Sequence, residues 1–274
     1  MSATAMDRSV NSPVERKGFI IGPHGVVISI PEDLAHYEWV DTSYGIKVPK
    51  IKVPQKEAAQ TGEAMVRVGI MGGTFDPVHY GHLVTAEAAA DLFDLSVVVF
   101  VPSGRPPHKQ HQDVTDPWER YRLTELATCS NPRFRMSDVE VIRPGYSYTI
   151  DTVRAFRREY GEQAEFFFIT GADAILEIMT WRQIDQLMAE CRFIAAYRPG
   201  YGRDHLRKAV ARMEAFSGRI HLVEVPALAI SSTDIRRRLY EGRSVKYLLP
   251  EPVLHRIMET GVYHLASRHR QPRE

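Results

Sequence analysis

Long hydrophobic runs are missing from this sequence. No apolar stretch approaches the ~18 residues of a membrane-spanning helix, and the opening MSATAMDRSVNSPVERK has no apolar region of the kind that directs secretion. Both absences argue for a soluble, cytoplasmic protein. Cysteine is scarce too, with only Cys129 and Cys191 present. Two thiols in apolar surroundings read as reduced and structural, not as a disulfide or a metal site. Nor is there any excess of one charge: 35 basic residues stand against 34 acidic ones, for a net charge of +1. No global field therefore draws nucleic acid or an anionic membrane, and affinity for phosphate has to come from local arrangement.

What is present is ordinary for a folded chain. The 274 residues are 44% hydrophobic and 25% charged, enough for one large domain with an appendage. From residue 66 onward, short apolar runs alternate with helical patterns. Strands are predicted at 66–71, 96–101, 136–142, 165–170, 192–197 and 219–225. Between and after them, helices are predicted at 82–93, 118–130, 148–160, 181–190, near 204–215, from 232 to 240 and beyond Pro252. This alternation predicts an α/β fold: a parallel sheet with helices on both faces. Ligands in such sheets bind at the carboxyl ends of strands, so strand-to-helix junctions are the places to search.

Residues 1–65 differ and read as an N-terminal extension. The stretch FIIGPHGVVISI (19–30) fits two short strands around a turn, and KVPKIKVPQK (47–56) reads as a basic, proline-punctuated linker. A genuine hairpin appendage and an overextended start before Met65 both fit. The catalytic domain is expected over 66–265, followed by a disordered tail at 266–274.

The first junction carries most of the chemistry. The strand VRVGIM runs into Gly72, Gly73, Thr74, Phe75, Asp76, Pro77, Val78, His79, Tyr80, Gly81 and His82 before a helix begins. Paired glycines let a backbone approach a ligand closely. His79 and His82 share a helix face, at an end whose free N–H groups favour negative charge. Imidazole donors there suit the α- and β-phosphates of a nucleotide and the charge on a departing pyrophosphate. Either pair alone would read as a turn or as incidental histidines. Together in one junction they read as a site. The second junction is Ser231-Ser232-Thr233-Asp234-Ile235-Arg236. One hydroxyl suffices for a helix cap, whereas three followed by an arginine one turn later suit the β- and γ-phosphates. Arg237 and Arg238 read as solvated charges.

GGTFDPVHYGHL resembles the signature of the nucleotidyltransferase superfamily with the (H/T)-x-G-H motif, and ISSTDIR its second motif. That resemblance implies a Rossmann-like doubly wound sheet. Further segments narrow it: PSGRPPHK (102–109), SYTIDT (147–152), GAD (171–173) with Trp181, and RPG (198–200). In this order they resemble bacterial nicotinate-nucleotide adenylyltransferases over about 67–263. The resemblance implies ATP and nicotinate mononucleotide as substrates, with deamido-NAD and pyrophosphate as products. It implies Thr149, Trp181 and Arg198 around the nicotinate end, Lys109 near the transferred phosphate, and Gly171 and Asp173 near the adenosine. The extension before Met65 departs from the family pattern.

The expected assignment is therefore catalysis by His79, His82, Lys109 and Arg236. ATP is assigned to Gly72, Gly73, Thr74, Phe75, Gly171, Asp173, Ser231, Ser232 and Thr233, and the mononucleotide to Lys109, Thr149, Trp181 and Arg198. Mg²⁺ is expected to accompany ATP, held by phosphates and water with no protein metal site. No nucleic-acid or membrane partner is expected, and a homo-oligomer stays open. The nearest rivals are the same chemistry on nicotinamide mononucleotide or phosphopantetheine, and a non-catalytic nucleotide-binding module. A class I aminoacyl-tRNA synthetase also uses a histidine-rich helix start, but this chain has no room for an anticodon domain.

Overall fold

The computed structural model describes residues 65–263, except 110–112, 200–202, 214–215, 217 and 227, together with four short strands before them. The chain divides into two compact units, Met1–Ile51 and Lys52–Glu274. In the first unit β1 (Phe19–Ile21) pairs antiparallel with β2 (Val27–Ser29), Phe19 opposite Ser29. A second pair, β3 (Glu38–Asp41) and β4 (Lys47–Lys50), corrects the reading of 47–56 as linker from its first residue. Its register sets Glu38 opposite Lys50 and Asp41 opposite Lys47. Residues 51–56 and the expected tail at 266–274 lie outside the described residues.

The second unit holds a six-stranded sheet. Its strands are β5 (Arg67–Gly73), β6 (Val97–Pro102), β7 (Phe134–Met136), β8 (Glu165–Gly171), β9 (Arg192–Tyr197) and β10 (Ile220–Glu224). They lie in the order β10-β9-β8-β5-β6-β7, every pair parallel. The chain winds outward from β5 in one direction, then returns to β8 and winds outward in the other. This is the doubly wound Rossmann-like arrangement, and its switch point lies between β5 and β8. Central strands need two apolar faces, and all six residues of β6 are buried. Val68, Ile70, Val99, Phe168 and Phe193 join Phe156 in one hydrophobic core.

Eight α-helices are described: α1 (Tyr80–Leu92), α2 (Pro117–Thr128), α3 (Thr149–Tyr160), α4 (Ala172–Leu176), α5 (Ile184–Glu190), α6 (Arg203–Ala211), α7 (Ser232–Tyr240) and α8 (Glu251–Thr260). Local chemistry sets their starts. Asp116 caps α2 by accepting from the N–H groups of Trp118 and Glu119 at 3.0 and 3.1 Å, with Pro117 at the first helical position. Ser231 caps α7 by accepting from Asp234 N–H at 3.1 Å.

Two expectations fail, each for a physical reason. The strand predicted at 136–142 is only Phe134–Met136. Beyond it the burial pattern inverts, with Glu140 inside and Ile142 62% exposed. The helix predicted from Trp181 begins at Ile184, because Gln183 takes a left-handed conformation at φ 53°. Trp181 itself is extended.

One buried charge ties the sheet to its loops. Arg120 of α2 is fully buried. Its Nη1 donates to Thr74 O at 2.6 Å, its Nη2 to Ser103 O at 2.7 Å and Gly104 O at 3.3 Å, and its Nε to Thr115 O at 2.8 Å. The loops after β5 and β6 therefore hang from a single guanidinium. We expect Arg120→Met, which leaves these carbonyls without their donor, to cost roughly 3 kcal/mol, or about 10 °C in Tm. Thermal denaturation would check this, and an unchanged Tm would contradict it.

Candidate active site

The crevice at the carboxyl ends of β5 and β8 contains two cavities. One, of about 410 Å³, is walled by His79, His82, Lys109, Ser231, Thr233 and Arg236, among others. The other, of about 730 Å³, is walled by Ser147, Tyr148, Thr149, Trp181 and Arg182, among others. Thr74 lines both.

The β5–α1 junction builds the first. A Cβ on Gly72 would stand 2.5 Å from Phe168 Cζ, so only glycine fits beneath that ring. Phe75 is buried in the left-handed region at φ 50°, where its ring meets the edge of His82 at 5.0 Å between centroids. Such a conformation is strained for a bulky residue and persists because the surrounding packing fixes it. His79 is the N-cap of α1, and its backbone N–H donates to His82 Nδ1 at 3.2 Å. The two imidazoles stack at 3.8 Å between centroids. A Cβ on Gly81 would lie 3.0 Å from His79 Nδ1, which explains the H-x-G-H spacing: glycine leaves room for the first ring to lie against the second.

The backbone bond also fixes a tautomer. Because His82 Nδ1 accepts, the proton of the neutral ring sits on Nε2, the nitrogen left to serve the cavity. Burial first, then the neighbouring His79, holds His82 well below the usual histidine range. Burial, then the charge of Arg198, lowers His79 to about 4. Both rings are therefore neutral hydrogen-bonding groups near pH 7, and positive charge comes from Lys109, Arg198 and Arg236 on the same walls.

The serine-threonine junction meets this one directly. Ser232 Oγ donates to Pro77 O at 2.8 Å, and Arg236 Nη1 donates to Asp76 O at 2.6 Å. The loops expected to share one polyphosphate are thus hydrogen-bonded to each other. Ser232 spends its proton on Pro77, so the donors left for a phosphate are Ser231, Thr233 and the first-turn amides of α7. Arg237 and Arg238 pair with Asp234 on the outer helix face.

Gly171 lines the histidine cavity, whereas Asp173 is exposed on the first turn of α4 and lines neither. Thr149 opens α3 on the wall of the larger cavity, beneath the N-cap Tyr148. Trp181 lies on that wall with its edge against Phe168 and Phe193 at 5.7 and 6.0 Å. Arg198, assigned to the nicotinate end, instead lines the histidine cavity, and the cation beside Trp181 is Arg182, stacked over Tyr148 at 4.6 Å.

Sequence reasoning missed several supports. Asp76 is buried and accepts from Tyr263 Oη at 2.8 Å. Asp76 lies inside the quoted motif. Arg120 was visible as a charge in helical phase with Leu123, Thr124 and Ala127, all buried. Tyr148 lies inside the quoted SYTIDT segment, whereas Glu140 and Arg182 carried no local signal.

A doubly wound crevice in which a histidine-bearing helix start meets a serine-threonine helix start is the arrangement of a nucleotidyltransferase. The cytidylyltransferase-like family model matches residues 70–238. A protein of Moorella thermoacetica named "Probable nicotinate-nucleotide adenylyltransferase" is 59% identical over 198 residues, 72% of this chain and 91% of the relative. One of the same name from Thermoanaerobacter is 52% identical over 202 residues, 73% of this chain and 96% of the relative. The solved structure of Plasmodium falciparum nicotinic acid mononucleotide adenylyltransferase with NaAD aligns at a TM-score of 0.59. It is 19% identical, covering 72% of this chain and 97% of that one, and shows the shared fold. The chain belongs to the nicotinate-nucleotide adenylyltransferase family.

The lowered His79 has a consequence for stability. Between pH 6.5 and about 4 the unfolded chain takes up a proton that the folded ring refuses, so this histidine makes stability fall as pH drops through that window. In an imidazole NMR titration we expect the His79 signals to hold still from pH 8 to roughly 5.5, below the usual histidine midpoint. Movement centred at 6.5 would contradict the assignment.

Proposed function

We propose that this chain joins nicotinate mononucleotide to the AMP part of ATP, giving deamido-NAD and pyrophosphate. The histidine cavity takes ATP and the tryptophan cavity the mononucleotide. The observation that carries this reading is the pair of bonds, Ser232 to Pro77 and Arg236 to Asp76, that closes two phosphate-binding helix starts around one hollow. The names of the close relatives support the acceptor.

The mononucleotide's 5′-phosphate attacks the α-phosphorus of ATP. One P–O bond forms, the bond from the α-phosphorus to the α–β bridging oxygen breaks, and pyrophosphate leaves with the electron pair. A phosphate monoester is already an anion near neutral pH, so no general base is required. Catalysis consists of alignment and stabilisation of charge. His82 donates from Nε2 to the α- or β-phosphate, His79 completes the imidazole wall, and Lys109 and Arg236 supply charge around the leaving group. Thr74, on both walls, marks where the substrates meet. Ser231, Thr233 and the start of α7 hold the β- and γ-phosphates, with Gly171 and Arg198 on the ATP side. Trp181 offers its ring to the nicotinate, while Thr149 and Arg182 face the acceptor's anionic groups.

Among the described residues no cluster of three His, Cys, Asp or Glu could hold a metal, and Asp76 in the ATP cavity is already engaged by Tyr263 and Arg236. These residues fit a divalent cation, Mg²⁺ in our reading, that arrives on the triphosphate with phosphate and water ligands. Such an ion neutralises phosphate charge. Burial pushes Cys129 up to about 11 and Cys191 up to about 12, so neither is a reactive thiolate. That suits the reducing cytoplasm, where we place the reaction. Among the described residues no helix is long and apolar enough to cross a membrane.

His82→Ala is expected to lower kcat about a hundredfold, the scale of one lost transition-state donor, with a Tm loss of only a few degrees from the missing ring and cap contact. Wild-type turnover in a folded variant would remove the histidine from the mechanism. The decisive assay supplies ATP with either nicotinate or nicotinamide mononucleotide and follows pyrophosphate. We expect the acid to be strongly preferred. Equal rates would overturn the acceptor assignment, and no pyrophosphate with either would leave a binding module.

A further inference from the structure

Glu140 is a buried carboxylate with no part in the mechanism above, although it lines the tryptophan cavity. It sits between two hydroxyls. Thr152 Oγ1 donates to Glu140 Oε1 at 2.6 Å. Burial raises the Glu140 pKa, and the neighbouring Thr152 and Ser147 hydroxyls oppose that rise by favouring the ionised form. Ser147 does not cap α3, whose N-cap is Tyr148. Its Oγ instead accepts from the backbone N–H groups of Gly104 and Arg105, at 3.0 and 3.3 Å, while its own N–H donates to Arg105 O at 2.9 Å. Gly104 has no room for a side chain, since a Cβ there would stand 2.1 Å from Glu140 O. The loop after β6 is therefore held between Arg120, on its carbonyls, and Ser147, on its amides. Ser103, Pro106, Pro107 and His108 of this segment wall the acceptor cavity.

Proton counting shows why the group at 140 is a carboxylate. With both lone pairs of Ser147 Oγ accepting from amides, its single proton must go elsewhere. Thr152 Oγ1 accepts from Arg143 Nη1 at 3.3 Å, so its proton too is directed at Glu140. An ionised carboxylate accepts both protons. A carboxamide of the same shape accepts one and presents an N–H₂ to the other, which must then turn its proton away and give up an acceptor position.

We propose that Glu140 is a positioning residue for the mononucleotide: through Ser147 it fixes the 103–108 loop that walls the acceptor cavity. This inference rests on the assignment of that cavity to the acceptor. The histidine and serine-threonine walls of the ATP cavity lie outside the relay, which adjoins that cavity only through Lys109, the residue after the 103–108 loop.

The test uses the full chain with Glu140→Gln, Ser147→Ala and the double variant. In the adenylyl-transfer assay we expect Glu140→Gln to raise the KM for nicotinate mononucleotide about tenfold, the scale of a hydrogen bond to a charged group, while the KM for ATP stays within about twofold. Because both residues act through one hydroxyl, the double variant should be no worse than Ser147→Ala. Amide hydrogen exchange without substrates should show Gly104 and Arg105 losing protection in all three variants. Equal rises in both KM values, additive effects, or unaltered exchange at Gly104 and Arg105 would each overturn the relay. Should Glu140→Gln not fold, Ser147→Ala alone carries the KM and exchange comparisons. If wild-type protein is inactive on nicotinate mononucleotide, the functional reading fails, while the exchange measurement still decides the relay.

Discussion

The crevice depends on a cation that lines neither of its cavities. Arg120 reaches up from α2 and bonds only to carbonyl oxygens, so its charge is shared among Thr74, Ser103, Gly104 and Thr115. Nearby, Asp76 ties the β5–α1 loop to Tyr263 near the end of the described chain and to Arg236 on α7. Loops at strand ends have backbone groups that the sheet leaves unpaired. A buried charge surrounded by such groups fixes their positions without extra secondary structure. The same anchor keeps the boundary between the cavities rigid, because Thr74 and Ser103 are held by one planar group.

Electrostatics in the crevice is divided by range. Lys109, Arg198 and Arg236 put positive charge, which acts at a distance, on the walls of one cavity in a chain whose overall charge is nearly balanced. The paired imidazoles act only at contact. Stacked and desolvated, they could not both carry charge, so they serve as fixed dipoles whose orientation is set before a ligand arrives. Preorganisation of this kind avoids reorganising water during bond transfer. It also explains why the helix start carries histidines: a second pair of ammonium groups at such spacing would repel each other.

Much of the architecture was legible because its signals are local. Apolar runs such as FFFIT and VVVF marked the central strands, and the H-x-G-H and I-S-S-T segments marked two helix starts, at Tyr80 and Ser232. What escaped is non-local. Glu140 interrupts an alternation that otherwise reads as strand, because its partners Thr152 and Ser147 are satisfied only by folding. Trp181 looked helical until the left-handed Gln183 separated it from α5. Arg198 follows β9, and only the strand order shows that β9 ends beside the histidine pair while Arg182 stands in the other hollow. In the N-terminal unit, lysines and prolines suggested a linker where Lys47–Lys50 pairs with β3.

Thr74 lines both hollows, so the two adjoin at this residue. A synthetic compound carrying a nucleotide-like head at each end could occupy both through a tether of only a few atoms. Once the first head has docked, the second is presented at millimolar or higher effective concentration, so two weak fragments joined across this threonine gain avidity without any new contact.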